Sequence, residues 1–394
     1  MARLADNRGS SARATRNGRR RRAFTLVEML VVIAMLVTLA SMSLFALWGA
    51  NESAKADRTR AIIEKVDLLV MQHWNRYSTR RIAVGPILGP SPNPRLRAMA
   101  RLAAVRELQR MELPERVTDL RDGVTVLAAP PAKWLAYRRR LIRQIGETAP
   151  GSGIPNFANW SASNQGSECL YLILSSLSDG DKNGLDTLKP EEIGDLDNDN
   201  MPEVLDAWKK PIDFLRWPAG YISNPEDAWY PMTPPNDCSG RPVVVAVTEQ
   251  TAPHYERTSS PPPSVIIPAP SPDPFDPLRV DPRWTDVSDP TAGTSSDPQL
   301  SRINDPFSLR PLIYSAGPDR IYAVDVTVLD SSGNDLIAHA TPSADMAVAA
   351  PLSHNDPYRY YAISCSSGTI KIQLGTPRGP ESLDNITNHY MEAK

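Results

Sequence analysis

The sequence predicts an α+β fold in which one long amino-terminal helix packs on a small antiparallel sheet, with helical and proline-rich insertions. Residues 24–77 contain a single glycine and no proline, which favours an uninterrupted helix. Several short segments rich in β-branched and aromatic residues follow residue 210, as is typical of strands. A helix and a sheet each bury one apolar face by packing together, so the two patterns predict one α+β domain.

The elements divide the chain into seven regions. They are a basic leader (1–23), an apolar helical segment (24–50), the second half of the same helix (51–80), a helical insertion (81–168), an acidic region (169–230), a proline-rich region (231–311) and a carboxy-terminal sheet (312–394).

The leader differs in charge from the rest of the chain. Residues 1–23 hold eight arginines and one acid, and the remaining residues hold 35 basic and 44 acidic side chains, a net charge of −9. An acidic body argues against nucleic acid as the main partner.

The apolar segment 24–50 is long enough to cross a bilayer, for which about 20 helical residues suffice. The arginines before it predict that the amino terminus lies in the cytoplasm and the rest of the chain outside. A cleaved secretory signal peptide is one alternative, although its apolar core would be shorter. A plain anchor is another, but it leaves Glu28 unexplained, since a carboxylate at mid-bilayer costs roughly 2.5–3.5 kcal/mol.

The stretch AFTLVEMLVVIAMLVTLA, which starts at Ala23, resembles the processing signal of type IV pilins and type II secretion pseudopilins. The resemblance implies that prepilin peptidase cuts between Ala23 and Phe24 and methylates the new amine of Phe24. The family usually has glycine where this chain has Ala23. It also implies a lollipop-shaped subunit, in which the long amino-terminal helix packs on a small antiparallel sheet.

The same resemblance gives Glu28 a role in assembly. After cleavage, the amine of Phe24 in a neighbouring subunit would be the partner of the Glu28 carboxylate. This charge would be paired in only one axial alignment of neighbouring subunits. It would therefore specify the register of assembly, as buried polar groups do in coiled coils.

The helix continues beyond the apolar segment with a changed pattern. Ala61, Ile62, Val66, Leu69 and Val70 recur at spacings of three and four, so that one face is apolar. We expect one helix over 24–77, about 80 Å long, whose second half packs on the globular domain. The alternative is two helices broken near Gly49.

The insertion predicts two helices, over 95–112 and 131–146. Residues 94–146 carry 12 basic and five acidic side chains. They either form a basic face for an acidic partner, anionic lipid or nucleic acid, or they are the solvated faces of amphipathic helices whose arginine stems cover apolar surface. We favour the second interpretation.

The acidic region begins with a buried helical run over 169–178 and continues with two carboxylate-rich stretches. Asp179, Asp181 and Asn183 precede Gly184 in the order that opens a calcium loop, although Pro190 takes the closing position. Three oxygen ligands on one side of a tight turn suit calcium.

The second stretch repeats this spacing with Asp195, Asp197 and Asp199, and Asp206 lies eleven residues after Asp195. Asn200 stands where glycine is usual, and asparagine tolerates positive φ. Because crowded carboxylates repel, and neither His nor Cys is nearby, we expect Ca²⁺. The alternatives are a solvated acidic loop and an acid–base pair for glycoside hydrolysis, although nothing else in the sequence indicates a sugar-binding cleft.

The stretch DAWKKPI is similar to a signature of the major pseudopilins of type II secretion. Asp206, Trp208, Pro211 and Ile212 match it, and a lysine replaces the family's glycine. Further on, SAGPDR resembles the family's SAGPDG turn. The family holds a structural calcium near these loops, so the resemblance adds Asp319 as a ligand candidate. We expect Trp208 and Trp217 to pack in the core.

The remaining segments supply the sheet. Residues 231–298 include 16 prolines and predict an extended loop, with a possible strand over 243–250. Residues 211–217, 309–317, 320–330 and 360–375 read as further strands. Cys169, Cys238 and Cys365 lack the spacing of a zinc or redox site, so the alternatives are one disulfide or isolated thiols.

The sequence contains no motif of a hydrolase, zinc protease or nucleotide-binding enzyme, so we expect a structural protein rather than an enzyme. The resemblance implies a pseudopilin of a type II secretion-like system in the bacterial inner membrane. Its partners would be prepilin peptidase, other pseudopilin subunits and the secretion assembly platform. A type IV pilin-like fibre subunit and a non-polymerising, membrane-anchored calcium module are the alternatives.

Overall fold

The computed structural model of the chain separates two compact units, Met1–Ser53 and Ala54–Lys394. It describes residues 25–85, 93–179, 182–221, 228–229, 245–246, 272–281, 306–324, 326, 356–358, 361–365, 368–372, 374–377 and 380–390. The fold is α+β, as predicted, with a long apolar amino-terminal helix, further helices and small antiparallel sheets.

The helices confirm most of the predicted boundaries. They are α1 (Leu26–Asn75), α2 (Pro94–Glu112), α3 (Val117–Arg121), α4 (Ala132–Ile145) and α5 (Gln165–Ser176). α1 runs without interruption through Gly49 and ends in a 3₁₀ turn over Arg76–Ser78, so the alternative of two broken helices is wrong. The short α3 was not predicted.

The strands are short and antiparallel. They are β1 (Ser178–Asp179), β2 (Lys182–Asn183), β3 (Ile193–Gly194), β4 (Glu203–Val204), β5 (Asp213–Leu215), β6 (Ala228–Trp229), β7 (Val245–Ala246), β8 (Leu312–Ser315), β9 (Tyr361–Cys365), β10 (Gly368–Ile372) and β11 (Ile386–Thr387). β8 is the middle strand of a three-stranded sheet in the order β11–β8–β5. The other strands form two-stranded pairs, β1–β2, β3–β4, β6–β7 and β9–β10.

The predicted strand over 320–330 is wrong for the part of it that the structure describes. Residues 320–324 and 326 hold a single bridge, between Val324 and Pro377, in place of a strand. The remainder of this prediction lies outside the described residues, as does most of the proline-rich stretch.

The second half of α1 lies in the core of the larger unit. Ile63, Val66 and Val70 have no solvent exposure, and they belong to one cluster with Phe214 and Ile313 of the sheet. The apolar positions recur every three or four residues, so they share one face of the helix. This half of α1 is therefore held by the chain's own core.

α2 departs from the prediction of a solvated basic helix. Arg106 is 1% exposed and its Nη2 lies 2.8 Å from Asp281, which is itself fully buried. Glu107 is buried as well, and it accepts hydrogen bonds from the backbone N–H groups of Val126 and Leu127. Because carboxylates from distant segments neutralise its arginines, α2 can be enclosed by the protein. α4 is amphipathic as predicted, and Arg138 lies over the ring of Trp134.

A second buried charge network, here called the Arg216 network, joins β5 to α3. Arg216 donates to Asp119 at 2.9 Å and to the carbonyl of Leu113 at 2.7 Å, and it pairs with Glu115 at 3.3 Å. Its guanidinium stacks on Trp217, which is 7% exposed, as is Trp208. Both tryptophans pack in the core, as predicted.

Of the three cysteines, Cys169 is a buried free thiol on α5. Burial raises the pKa of this thiol well above its ordinary value, so it is protonated and inert near neutral pH. Cys238 lies outside the described residues.

Candidate assembly and metal-binding sites

The first turn of α1 carries the predicted assembly residue. The backbone N–H of Glu28 donates to Thr25 Oγ1 at 3.2 Å, and the backbone N–H of Met29 donates to the Thr25 carbonyl at 3.2 Å. The Thr25 side chain thereby satisfies the N–H of Glu28, which has no backbone partner within the helix, and a carboxylate in the first turn suits the helix dipole. The predicted cleavage pair, Ala23 and Phe24, lies outside the described residues.

The apolar half of α1 is exposed along its whole length. Leu26 is 81% exposed, Leu36 61% and Trp48 65%. α1 is long and apolar enough to cross a membrane. A continuous apolar surface of this size marks a contact with lipid or with other proteins.

The acidic loop connects β3 to β4, which pair antiparallel, so that residues 195–202 turn back within one hairpin. Asn198 and Asn200 have φ values of 60° and 72°. Asparagine accepts this left-handed backbone at low cost, and Asn200 thus takes the place of the expected glycine. The turn brings the alternate carboxylates of the loop to one side.

The structure brings five carboxylates together in two overlapping groups. Oxygen atoms of Asp195, Asp197 and Asp199 lie within 4.8 Å of one another, and so do oxygen atoms of Glu168, Asp197 and Glu203. Asp197 belongs to both groups. The five residues, Glu168, Asp195, Asp197, Asp199 and Glu203, are called the acidic cluster below.

Hydrogen bonds hold part of the acidic cluster in place. Asp199 accepts from the backbone N–H groups of Ser161 at 2.7 Å and Met201 at 2.8 Å. Glu203 accepts from the side-chain amide of Asn164 at 2.8 Å.

Three carboxyl groups of the acidic cluster, those of Glu168, Glu203 and Asp199, have raised pKa values. Burial, followed by the nearby charges of Asp199, Asp197 and Glu203, raises the pKa of Glu168 to about 9. Burial likewise raises the pKa of Glu203 and of Asp199. These shifts measure the strain of placing several negative charges in one partly dehydrated space.

The first predicted calcium loop shows a different arrangement. Asn183 caps the following 3₁₀ turn: its Oδ1 accepts from the N–H of Leu185 at 3.1 Å, and its Nδ2 donates to the Ser175 carbonyl at 3.3 Å. Asp181 lies outside the described residues, and of Asp179 the structure describes the backbone alone, in β1.

Asp206 and Asp319 lie outside the acidic cluster. Asp206 Oδ1 accepts from the N–H groups of Trp208 at 2.8 Å and Lys210 at 2.9 Å, and its Oδ2 accepts from Ser315 Oγ at 2.6 Å. Asp319 Oδ1 accepts from the N–H of Ile321 at 2.8 Å. Both residues organise turns.

The bond between Asp206 and Ser315 joins the two stretches that resemble pseudopilin motifs, DAWKKPI and SAGPD. In both stretches, a basic residue replaces the family's glycine, and it keeps a glycine-like backbone: φ is 63° at Lys209 and 64° at Arg320. Lys209 and Arg320, which directly follows SAGPD, thus adopt the left-handed backbone that glycine accepts most easily.

Glu168 and Glu203 were not predicted, because α5 and β4 contribute them from outside the repeated spacing. The local sequence did contain a signal for both residues. Each is an acid beside apolar residues, in ECLYLIL and in PEVL, and each lies in a buried element. A buried acid implies a compensating partner.

Comparison with protein-family models matches residues 18–44 to the prokaryotic N-terminal methylation motif. Neither the curated proteins nor the solved structures give a match to the chain. The matched motif implies processing by prepilin peptidase, a single membrane-anchoring helix and assembly into a pilus-like polymer. The chain thus carries a prepilin-type methylation motif at the head of a long apolar helix, which is consistent with the type IV pilin and pseudopilin family.

Proposed function

We propose that the chain is a structural pseudopilin subunit of a type II secretion-like system rather than an enzyme. Prepilin peptidase would cut between Ala23 and Phe24 and methylate Phe24. The arginine-rich leader favours a cytoplasmic amino terminus, with residues 54–394 in the periplasm. On assembly, the subunit would leave the inner membrane and enter a pseudopilus at the secretion assembly platform.

The observation that carries the secretion assignment is the contact between Asp206 and Ser315. These residues lie 109 positions apart, in the two stretches that resemble the major pseudopilins, and their side chains bond at 2.6 Å. Asp206 also orders the turn that leads into β5, and Ser315 ends β8, the middle strand of the sheet. The two stretches that resemble major pseudopilins thus lie in contact in the fold.

Glu28 would act as the register device of the assembly. Its carboxylate stands in the first turn of an exposed apolar helix, where an unpaired charge in lipid is costly. The methylated amine of Phe24 in a neighbouring subunit would neutralise it in the correct stagger and leave it bare in others.

The test is complementation of a deletion strain of the source bacterium with the wild-type gene, Glu28→Leu or Glu64→Leu. Glu64 is an exposed acid on the second half of α1 and serves as the matched control. We expect Glu28→Leu to abolish protein release into the medium, Glu64→Leu to restore it, and both variants to keep the domain folded.

Two outcomes would contradict the proposal. Loss of surface fibres with normal protein release would favour a type IV pilin-like subunit for adhesion, motility or DNA uptake. Normal release and normal fibres with Glu28→Leu would favour a membrane-anchored module that does not polymerise.

A further inference from the structure

Three carboxylate oxygens in the acidic cluster are buried without a hydrogen-bond partner among the described residues. They are both side-chain oxygens of Asp197 and the Oε1 atom of Glu168. Glu168 is fully buried, and its other oxygen accepts from the Trp160 indole N–H. A buried carboxylate oxygen with no donor is costly, so these atoms point to a missing positive partner.

No basic side chain in the described part of the chain forms an ion pair with the acidic cluster. The Arg216 network shows how this fold otherwise buries carboxylates, because it places a guanidinium 2.9 Å from Asp119 and 3.3 Å from Glu115. The acidic cluster brings more carboxylates together than that network does, without a comparable cation. A cation from solution would supply the partner that these oxygens lack among the described residues.

The geometry suits a calcium ion. Two oxygens on one calcium ion lie at most about 5 Å apart, which is twice the usual calcium–oxygen distance. The oxygens of Glu168, Asp197 and Glu203 lie within 4.8 Å of one another, as do those of Asp195, Asp197 and Asp199. All the donors are hard oxygen atoms, which calcium prefers and zinc or copper does not.

We propose that Glu168, Asp197 and Glu203, together with Asp199 and the exposed Asp195, bind a calcium ion that ties the first turn of α5 to the β3–β4 loop. The site uses α5, which neither predicted calcium loop included. It is separate from Asp206 and Asp319, which organise turns elsewhere. The proposal does not depend on the proposed function, since it concerns the stability of the domain and not its assembly.

The ion would fix two elements that otherwise repel each other. Asp197 lies in both carboxylate groups, so removal of its charge should affect the whole site. Glu168 is the ligand from α5, so its removal should separate the helix from the loop without a change in the loop itself.

The test uses the full chain in detergent, stripped with a chelator and then titrated with CaCl₂, with thermal unfolding and calorimetric binding as readouts. We expect calcium to raise the unfolding midpoint of the wild type, and Asp197→Asn and Glu168→Gln to lose that shift and the binding heat. Glu191→Gln, an exposed acid paired with Arg58 outside the cluster, is the control and should keep both.

A second readout reports the location of the ion. Terbium replaces calcium in oxygen sites and emits when a nearby tryptophan is excited. Because the Trp160 indole bonds a ligand of the proposed site, Trp160→Phe should remove most of the sensitised emission. Trp134→Phe should retain it, since the Trp134 indole bonds the backbone of Asp119 instead.

Four results would overturn the proposal. The first is an identical unfolding midpoint in calcium and in chelator, which would mean that the carboxylates share protons instead of an ion. The second is an equal shift with magnesium at the same concentration, which would exclude calcium as the specific ligand. The third is loss of the calcium shift in Glu191→Gln, and the fourth is terbium emission unchanged by Trp160→Phe. The amino-terminal processing would be unaffected in each case, so failure here is distinct from failure of the proposed function.

Discussion

The two halves of α1 share one regular backbone but differ completely in exposure. Leu36 and Trp48 in the first half are 61% and 65% exposed, whereas Val66 and Trp74 in the second half are 0% and 3% exposed. Both halves carry apolar side chains, so the difference lies in what covers them. The second half is covered by the chain's own core, and the first half needs a cover from outside the chain, which is lipid or other subunits.

The sequence pattern encodes this difference. The first half is apolar on all sides, which is typical of a helix surrounded by apolar matter. The second half buries its apolar residues on one face, with Glu64 and Lys65 exposed on the other. The distribution of apolar residues around the helix axis therefore predicts the environment of each half of α1.

The largest expected effect comes from the matched tryptophans of the two halves. Trp74 packs edge-on against Tyr77 and Phe275, at centroid distances of 6.2 and 5.1 Å. We expect Trp74→Ala to destabilise the domain by about 3–5 kcal/mol because it leaves a cavity. Trp48→Ala should change the free energy of unfolding by less than about 0.5 kcal/mol, since exposed sites away from special features rarely matter more.

Denaturant unfolding of the full chain in detergent measures both variants. Equal effects of the two substitutions on the free energy of unfolding would show that the first half also packs on the domain. That result would contradict the difference in environment between the two halves.

A smaller effect, dependent on pH, should appear where Glu112, the last residue of α2, contacts His73 on the buried face of the second half of α1. Glu112 is 2% exposed and accepts from Arg80 at 2.7 Å, and it lies 3.1 Å from His73. Burial alone would raise the pKa of Glu112, but the bonds from His73 and Arg80 outweigh it and lower that pKa to about 2. Burial is the main cause that lowers the pKa of His73.

Both shifts predict loss of stability in acid. Because the pKa of Glu112 is lower in the folded state than the unfolded value of 4.5, its ionised carboxylate stabilises the fold above pH 4.5. This stabilisation is lost as the pH falls toward about 2. A depressed histidine pKa costs stability once the pH falls below 6.5, because the unfolded state binds the proton more tightly. Glu112→Gln should lower the free energy of unfolding by roughly 1–3 kcal/mol at pH 7. The stability of this variant should also depend less on pH below pH 4.5 than that of the wild type.

The unfolding midpoint measured from pH 7 to pH 3 checks this prediction, with Glu64→Gln, an exposed acid on α1, as the control. If Glu112→Gln lost stability below pH 4.5 as steeply as the wild type, the proposed role of this buried group would be contradicted.

Local pattern was enough to predict the helices and part of the candidate site. Residues 24–77 lack breakers, which predicted α1, and the alternating acids at Asp195, Asp197 and Asp199 predicted three members of the acidic cluster. These signals are contained within one element, so a sequence displays them directly.

Partners contributed by distant elements could not be predicted. Glu168 and Glu203 carry no shared spacing with the loop, and Arg106 reads as a solvated cation until Asp281 is placed 2.8 Å away. The pairing of buried charges depends on tertiary packing, which a spacing pattern does not encode. For the same reason, the bond between Asp206 and Ser315, which lie 109 positions apart, could not be predicted from the sequence.

The most direct test of the assembly role of α1 is the mass of the mature amino terminus. Protein purified from membranes of the source bacterium should begin at Phe24 and carry one methyl group on its amine, and Ala23→Leu should leave the leader in place. An intact leader on the wild-type protein, or a mature chain that begins at another residue, would contradict the assignment of residues 24–50 as a processed assembly helix.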